Sequence, residues 1–259
     1  KKFFIYLDML KKRIIPILLY YKGNLVKTKN YRNIRNIGNP NQIFNVFKNR
    51  NLDELVIIDL AASKEKIKFD TSILDNFSYK CNMPLIVGGG LNNTDDVELV
   101  LNKGADKIII GSSALNNSKI INNIAKKFGS QSIMLSIDVK LEHKKYSIYS
   151  QSAKKKHTID IIEWIKKVQD LGAGEILLNS INNEGTMKGY DLKLLKKIQS
   201  FLKVPLVFNG GAGKIEDFIE VLEHKKIMGV AASSVFLFSE ITPNMIKKQA
   251  LKKNINVRI

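Results

Sequence analysis

The chain carries a single cysteine, Cys81, three histidines, and no apolar run near the roughly 20 residues that cross a bilayer. One cysteine excludes an intrachain disulfide and a thiolate metal cluster and fits a reducing compartment. Placed just before the apolar run Pro84–Val87, Cys81 reads as a small apolar filler. His143, His157 and His224 lie far apart in lysine-rich neighbourhoods without ligand spacing, so neither a metal nor a cofactor is expected. Acids are also scarce, 24 against 42 Lys and Arg, which leaves a net charge of +18. Such an excess ordinarily suggests nucleic acid. Here the lysines are scattered in pairs, Lys126-Lys127, Lys166-Lys167, Lys196-Lys197 and Lys247-Lys248, with no basic stripe and no interleaved aromatics. That is the pattern of solvated helix faces, and no nucleic-acid partner is expected. Residues 1–8 have a basic head but too short an apolar stretch for a signal peptide. Met9 reads as a candidate start, residues 1–8 as a non-essential extension, and the expected location is cytoplasmic with no membrane contact.

What the chain does have is a repeat. Glu54-Leu-Val-Ile-Ile-Asp59 is answered by Glu175-Ile-Leu-Leu-Asn-Ser180, since 175 − 54 = 121. At the same offset Pro84-Leu-Ile-Val-Gly-Gly-Gly90 is answered by Pro205-Leu-Val-Phe-Asn-Gly-Gly211, and Ser112-Ser113 by Ser233-Ser234. One offset through three separate units points to a duplicated half-domain.

Apolar runs at Arg13–Leu19, Leu55–Leu60, Leu85–Val87, Lys107–Ile110, Ile133–Asp138, Glu175–Leu178, Leu206–Phe208 and Gly229–Ala232 read as strands. Between them Asp95–Leu101, Lys119–Phe128, Ile159–Leu171, Leu192–Phe201 and Ile215–Leu222 carry apolar residues at helix spacing. Lys140–His157 is the one long polar interruption, a loop or a small hairpin. Eight strands that each need a crossover imply parallel pairing. The expected fold is α/β, a (β/α)8 TIM barrel built from two duplicated half-barrels, with residues 1–259 as one domain. An open doubly wound sheet would want Gly-x-Gly-x-x-Gly after strand one, and Lys22-Gly23-Asn24 does not supply it.

In such barrels reacting groups sit at the C-terminal ends of the strands. Strands three, four, seven and eight end in Gly88-Gly89-Gly90, Gly111-Ser112-Ser113, Asn209-Gly210-Gly211 and Ser233-Ser234. Glycine lets a backbone approach an anion and serine adds a donor, so Gly89, Gly90, Ser112, Ser113, Gly210, Gly211, Ser233 and Ser234 are candidate phosphate contacts, joined by Gly185 and Thr186 after strand six. The expected ligand is a small molecule with a phosphate at each end. Asp138, closing strand five, is the candidate acid or base.

Taken together, Arg13-Ile-Ile, Asp53-Glu-Leu-Val, Val87-Gly-Gly-Gly90, Gly104-Ala-Asp-Lys107, Phe128-Gly-Ser-Gln131, Ile137-Asp138, Gly172-Ala-Gly-Glu-Ile-Leu-Leu178, Gly185-Thr186, Gly189-Tyr-Asp191, Gly210-Gly-Ala-Gly-Lys214 and Asn256-Val-Arg258 resemble the cyclase subunit of imidazole glycerol phosphate synthase. The resemblance covers Met9 to the C-terminus. It implies a barrel that binds a bisphosphorylated substrate and receives ammonia from a class I glutamine amidotransferase (glutaminase) subunit docked at its bottom. It also implies an ammonia gate at Arg13, Glu54, Lys107 and Glu175, two acids and two bases that could equally be an ion-pair seal. Lys27 and Asp59 match catalytic positions of the family.

One departure is decisive for the chemistry. The family pairs the strand-five aspartate with another at the end of strand one, and that position holds Leu19, which transfers no proton. Asn182 and Glu184 replace aspartates and Gly111 an asparagine. Tyr20 or Tyr21 could stand in, though a phenol with a pKa near 10 is a poor base. The pattern resembles a divergent branch linked to surface-polysaccharide sugars, in which ammonia passes to a separate sugar amidotransferase that makes an acetamidino group. That is the first expectation. The second is a working cyclase of histidine biosynthesis making imidazole glycerol phosphate and aminoimidazole carboxamide ribotide; the third is a phosphosugar-binding barrel or isomerase with no glutaminase.

Overall fold

The structure, a computed structural model, describes residues 11–48, 50–77 and 83–258. Cys81 and residues 1–8 lie outside the described residues. The strands are β1 (Arg13–Tyr21), β2 (Asn24–Lys29), β3 (Arg32–Gly38), β4 (Leu55–Asp59), β5 (Leu85–Gly88), β6 (Lys107–Ile110), β7 (Ile133–Glu142), β8 (Lys145–Ser150), β9 (Lys155–Lys156), β10 (Glu175–Ser180), β11 (Leu206–Asn209) and β12 (Ile227–Ala232). Eight of them pair in parallel in the order β1-β4-β5-β6-β7-β10-β11-β12, and β12 returns to β1 to close the barrel. This is the expected (β/α)8 architecture, with helices between the strands.

Strand periodicity sorts the side chains into two shells. Ile15, Ile17, Leu19, Val56, Ile86, Ile109, Met134, Leu177, Val207 and Ala231 fill the barrel interior as one apolar cluster. Their neighbours Ile14, Leu18, Tyr20, Leu55, Ile57 and Val87 face outward into the layer beneath the helices. The helix Ile161–Asp170 shows how the outer shell is met: Ile161, Trp164, Ile165 and Val168 recur at helix spacing and are buried, while the Asp160 carboxylate caps the first turn.

The register carries the repeat. Leu55 pairs with Leu85 and Ile58 with Gly88, and at an offset of 121 Ile176 pairs with Leu206 and Asn179 with Asn209. In the first half Leu19 pairs with Ile58, and in the second Asp138 pairs with Asn179. Because 179 − 58 = 121, Leu19 and Asp138 occupy equivalent places although 138 − 19 = 119.

Several boundaries differ from expectation. Leu60 begins a helix rather than ending a strand, because the Asp59 side chain accepts from Ala62 N and caps Leu60–Glu65. The segment after β7 is the hairpin alternative, with β7 and β8 antiparallel around His143-Lys144. The counterpart hairpin β2–β3 has no sequence expectation behind it. It hydrogen-bonds to β1 as β8 does to β7, so each half-barrel begins with a strand that carries an antiparallel partner.

The bottom of the barrel is tied to the last helix, Pro243–Lys252, by a buried ion pair. Lys247 Nζ donates to Asp53 Oδ1 at 2.7 Å and to Asn51 O at 2.9 Å, while Asp53 Oδ2 accepts from Ile14 N at 2.8 Å. Lys247→Met strands a buried carboxylate. It should cost about 3 to 5 kcal/mol, seen as a lower urea midpoint with an unchanged slope.

Candidate active site

A cavity opens at the C-terminal ends of the barrel strands. Its floor is apolar, Ile17, Leu19, Ile58, Ile109 and Leu177, and its walls are polar, with Lys27, Tyr31, Ser136, Asp138, Asn179 and Asn209 among them. Two Gly/Ser walls stand on opposite sides. On one, Gly89 and Ser112 line the cavity and Gly90 and Ser113 line the recess that continues from it beside Lys66 and Lys155. On the other are Gly210, Gly211, Ser233, Ser234 and Gly185. Gly89 and Gly210 are repeat mates, and both hold φ at +106° with backbone packed where a Cβ would sit: Asp59 O at 2.2 Å and Ser180 O at 2.8 Å. No other residue type fits there without moving the chain.

The two walls are differently prepared for an anion. Ser233 Oγ and Ser234 Oγ are buried with no hydrogen-bond partner among the described residues, a costly state in the absence of something to donate to. Ser112 Oγ instead accepts from Gln151 N at 3.1 Å. Thr186 is turned inward to its own loop, with Oγ1 donating to Asn183 O at 2.7 Å, and does not line the cavity.

Asp138 stands on the inward face of β7. Its Oδ1 accepts from Asn179 Nδ2 at 2.6 Å, from Ser136 Oγ at 3.2 Å and from the Tyr31 hydroxyl at 3.3 Å, and Asn209 Nδ2 donates to Asn179 Oδ1 at 2.7 Å. Burial pushes the Asp138 pKa above the ordinary carboxylate value and the three donors oppose it, with a net upward shift. A half-buried carboxylate of raised proton affinity, held on one oxygen, is suited to accept a proton. Lys27, which is buried, reaches Glu184 Oε1 at 3.3 Å. Glu184 is further held by Thr28 Oγ1 at 2.9 Å and Tyr31 N at 2.9 Å, which laces the loop after β10 to the β2–β3 hairpin.

Three further site expectations are displaced. Asp59 does not line the cavity: its carboxylate accepts from Ala62 N and Asp70 N and caps a helix. Tyr20 lies on the opposite strand face from Leu19 and donates to Asp70 Oδ2, and burial with that contact pushes its phenol up to about 12. Tyr21 shares the parity of Leu19 but sits at the rim, donating to Glu65 at 2.6 Å. Neither replaces the strand-one carboxylate. Sequence reasoning missed Tyr31, Asn179 and Asn209. The asparagines had a signal, since both stand at the ends of apolar runs within the repeated segments, and they pair with each other across β10 and β11.

At the opposite end of the interior Arg13, Glu54, Lys107 and Glu175 form a closed ring. Arg13 Nη1 is 2.8 Å from both Glu54 oxygens and Nη2 binds Glu175, while Lys107 Nζ bridges Glu54 at 3.2 Å and Glu175 at 3.4 Å. Burial alone would raise the Glu175 pKa, but Arg13 and Lys107 outweigh it and hold the group below its ordinary value. Among the described residues no helix is long and apolar enough to cross a membrane.

The sequence matches the family described as histidine biosynthesis protein over residues 13–242. Among curated relatives it is 36% identical over 253 residues to the imidazole glycerol phosphate synthase subunit HisF of Lactococcus lactis subsp. lactis, covering 97% of this chain and 98% of that one. The subunit of the same name from Flavobacterium johnsoniae is 36% identical over 251 residues, covering 97% and 100%, and that from Petrotoga mobilis 37% over 253 residues, covering 97% and 100%.

Because Glu175 is held low in the folded barrel, its charge adds stability at neutral pH that is lost as pH falls below the ordinary 4.5 through the folded value. Glu175→Gln should cost about 3 kcal/mol at neutral pH and flatten the acid limb of a stability-against-pH curve measured by urea unfolding.

Proposed function

The chain belongs to the histidine biosynthesis protein family, and on that premise we propose that it is the barrel subunit of a glutaminase-coupled synthase of the imidazole glycerol phosphate type. It takes a ribulosyl substrate with a phosphate at each end into the mouth. With ammonia it closes an imidazole ring, giving imidazole glycerol phosphate and aminoimidazole carboxamide ribotide. The observation that carries this is the pair of Gly/Ser walls on opposite sides of one mouth, with Asp138 between them. Ser233 and Ser234, their hydroxyls buried with no partner among the described residues, suit one phosphate; Gly90 and Ser113 beside Lys66 suit the other. The ring of Arg13, Glu54, Lys107 and Glu175 then acts as the gate through which ammonia leaves the glutaminase, and the apolar interior above it favours neutral ammonia over ammonium.

Leu19 favours a second reading. With an apolar side chain opposite Asp138, ring closure lacks its usual second carboxylate, and the complex would pass ammonia to a separate sugar amidotransferase for an acetamidino group on a surface-polysaccharide sugar. The names of the relatives support the first reading and lend none to this one.

Turnover of the phosphoribulosyl formimino carboxamide substrate with an ammonium salt separates them. The first reading expects product from the unaltered protein, abolished by Asp138→Asn and little changed by Leu19→Asp. The second expects almost none, and a gain of about 10²-fold or more in Leu19→Asp. A partner test accompanies it: co-expressed glutaminase should co-purify, and Lys107→Glu should weaken the complex or uncouple glutamine hydrolysis from product.

A further inference from the structure

Position 31 holds a tyrosine where the backbone favours glycine. Lys29 pairs with Arg32, so Asn30 and Tyr31 form a two-residue hairpin turn with φ of +54° and +57°. This is the turn type that selects Asn-Gly, because the second position is left-handed. A bulky aromatic there is strained, and such strain persists where its surroundings impose it. The surroundings do. Glu184 Oε2 accepts from Tyr31 N at 2.9 Å, Asn30 N donates to Glu184 O at 3.0 Å, and Asn30 Nδ2 donates to Ile181 O and Asn182 O at 2.8 Å each. The turn is clamped by the loop after β10, and the ring is laid across the mouth, where it lines the cavity and its hydroxyl reaches Asp138 at 3.3 Å. That distance is long for O–H···O, as catalytic hydrogen bonds commonly are before substrate binds.

We propose that Tyr31 supplies the second proton-transferring group of the mouth, in place of the carboxylate that strand one lacks at Leu19. The role rests on the ring-closing reading. As the ammonia nitrogen bonds to the ketose carbonyl carbon, Asp138 takes one N–H proton and Tyr31 gives its phenolic proton to the oxygen, which makes a carbinolamine; the proton on Asp138 then returns to the phenolate across their contact. In a second round Asp138 takes another N–H proton while Tyr31 protonates the hydroxyl, and the C–O bond breaks as water departs. The same return restores the pair, so the carbonyl and ammonia become an imine and water. Burial and the facing Asp138 and Glu184 carboxylates hold the Tyr31 phenol well above 10, so it carries its proton at neutral pH. Of the cations near the pair, Lys27 is bonded to Glu184, and Arg32, Lys64 and Lys140 line the surface recess beside Tyr31.

Tyr31→Phe keeps the ring and removes the hydroxyl. In the ammonium assay it should lower kcat by about 10²-fold with KM changed little. Loss of the donor that lowers Asp138 should also move the rising limb of any residual pH profile to higher pH. Leu19→Asp in the Tyr31→Phe background should recover at least tenfold of the loss. Tyr31→Gly relieves the left-handed turn, so it should fold with a denaturation midpoint no lower than the unaltered protein and be at least as impaired as Tyr31→Phe. Unaltered turnover in Tyr31→Phe, in a preparation where Asp138→Asn is dead, overturns the role of Tyr31 and leaves the ring-closing reading standing. No turnover by the unaltered protein overturns both.

Discussion

A strand turns every second side chain to the same side, and this barrel is organised by that rule applied eight times. Along β1 the inward residues are Arg13, Ile15, Ile17 and Leu19; along β10 they are Glu175, Leu177 and Asn179. The consequence is a column of three floors. Charged groups close the bottom, apolar side chains fill the middle, and amides, hydroxyls, Lys27 and the carboxylates of Asp138 and Glu184 line the top. A single-residue shift in β1, β4, β6 or β10 would turn an ionic group of the bottom ring into the helix layer and an apolar one into the mouth.

The same rule separates the two halves chemically while leaving them alike in shape. Register places Leu19 and Asp138 at equivalent points of the repeat, so an apolar group in one half stands where the other half has a carboxylate. Leu19 is 7% exposed and belongs to the interior apolar cluster, which shows how easily the position is read as core. Both antiparallel partners reach the mouth: the β2–β3 side brings Lys27 and Tyr31 to it, and the turn between β8 and β9 brings Ser152.

The barrel, its eight strands and the Gly/Ser walls were legible because each rests on a short pattern: an apolar run, a constant offset, a glycine cluster. The β2–β3 hairpin was not, because Arg32–Gly38 is mostly exposed and polar and its turn lacks the glycine that marks such turns. Tyr31 was hidden for the same reason, and attention fell on Tyr20 and Tyr21, nearer in sequence but facing the helices and the rim. Asp59 matches a catalytic position of the resembled family, and here its carboxylate caps the following helix, a contact that only the geometry of that helix reveals. The loop after β10 reads as one phosphate contact in sequence, yet Glu184 within it organises the hairpin tip instead.

The seam between β1 and β12 has a kinetic meaning. It pairs Arg13 with Gly229, and 229 − 13 = 216 residues of chain must be traversed before that contact exists. The other neighbours, β4 with β5 or β10 with β11, join segments about 30 residues apart. Chain closure over such a span is entropically the most demanding step, so the seam belongs to the end of folding and both strands stay open edges until then. A nascent chain emerging N-terminus first therefore holds β1 unpaired on one side throughout synthesis. The β2–β3 hairpin, bonded along the upper part of β1 from the first moments, shields a portion of that edge against pairing with another molecule.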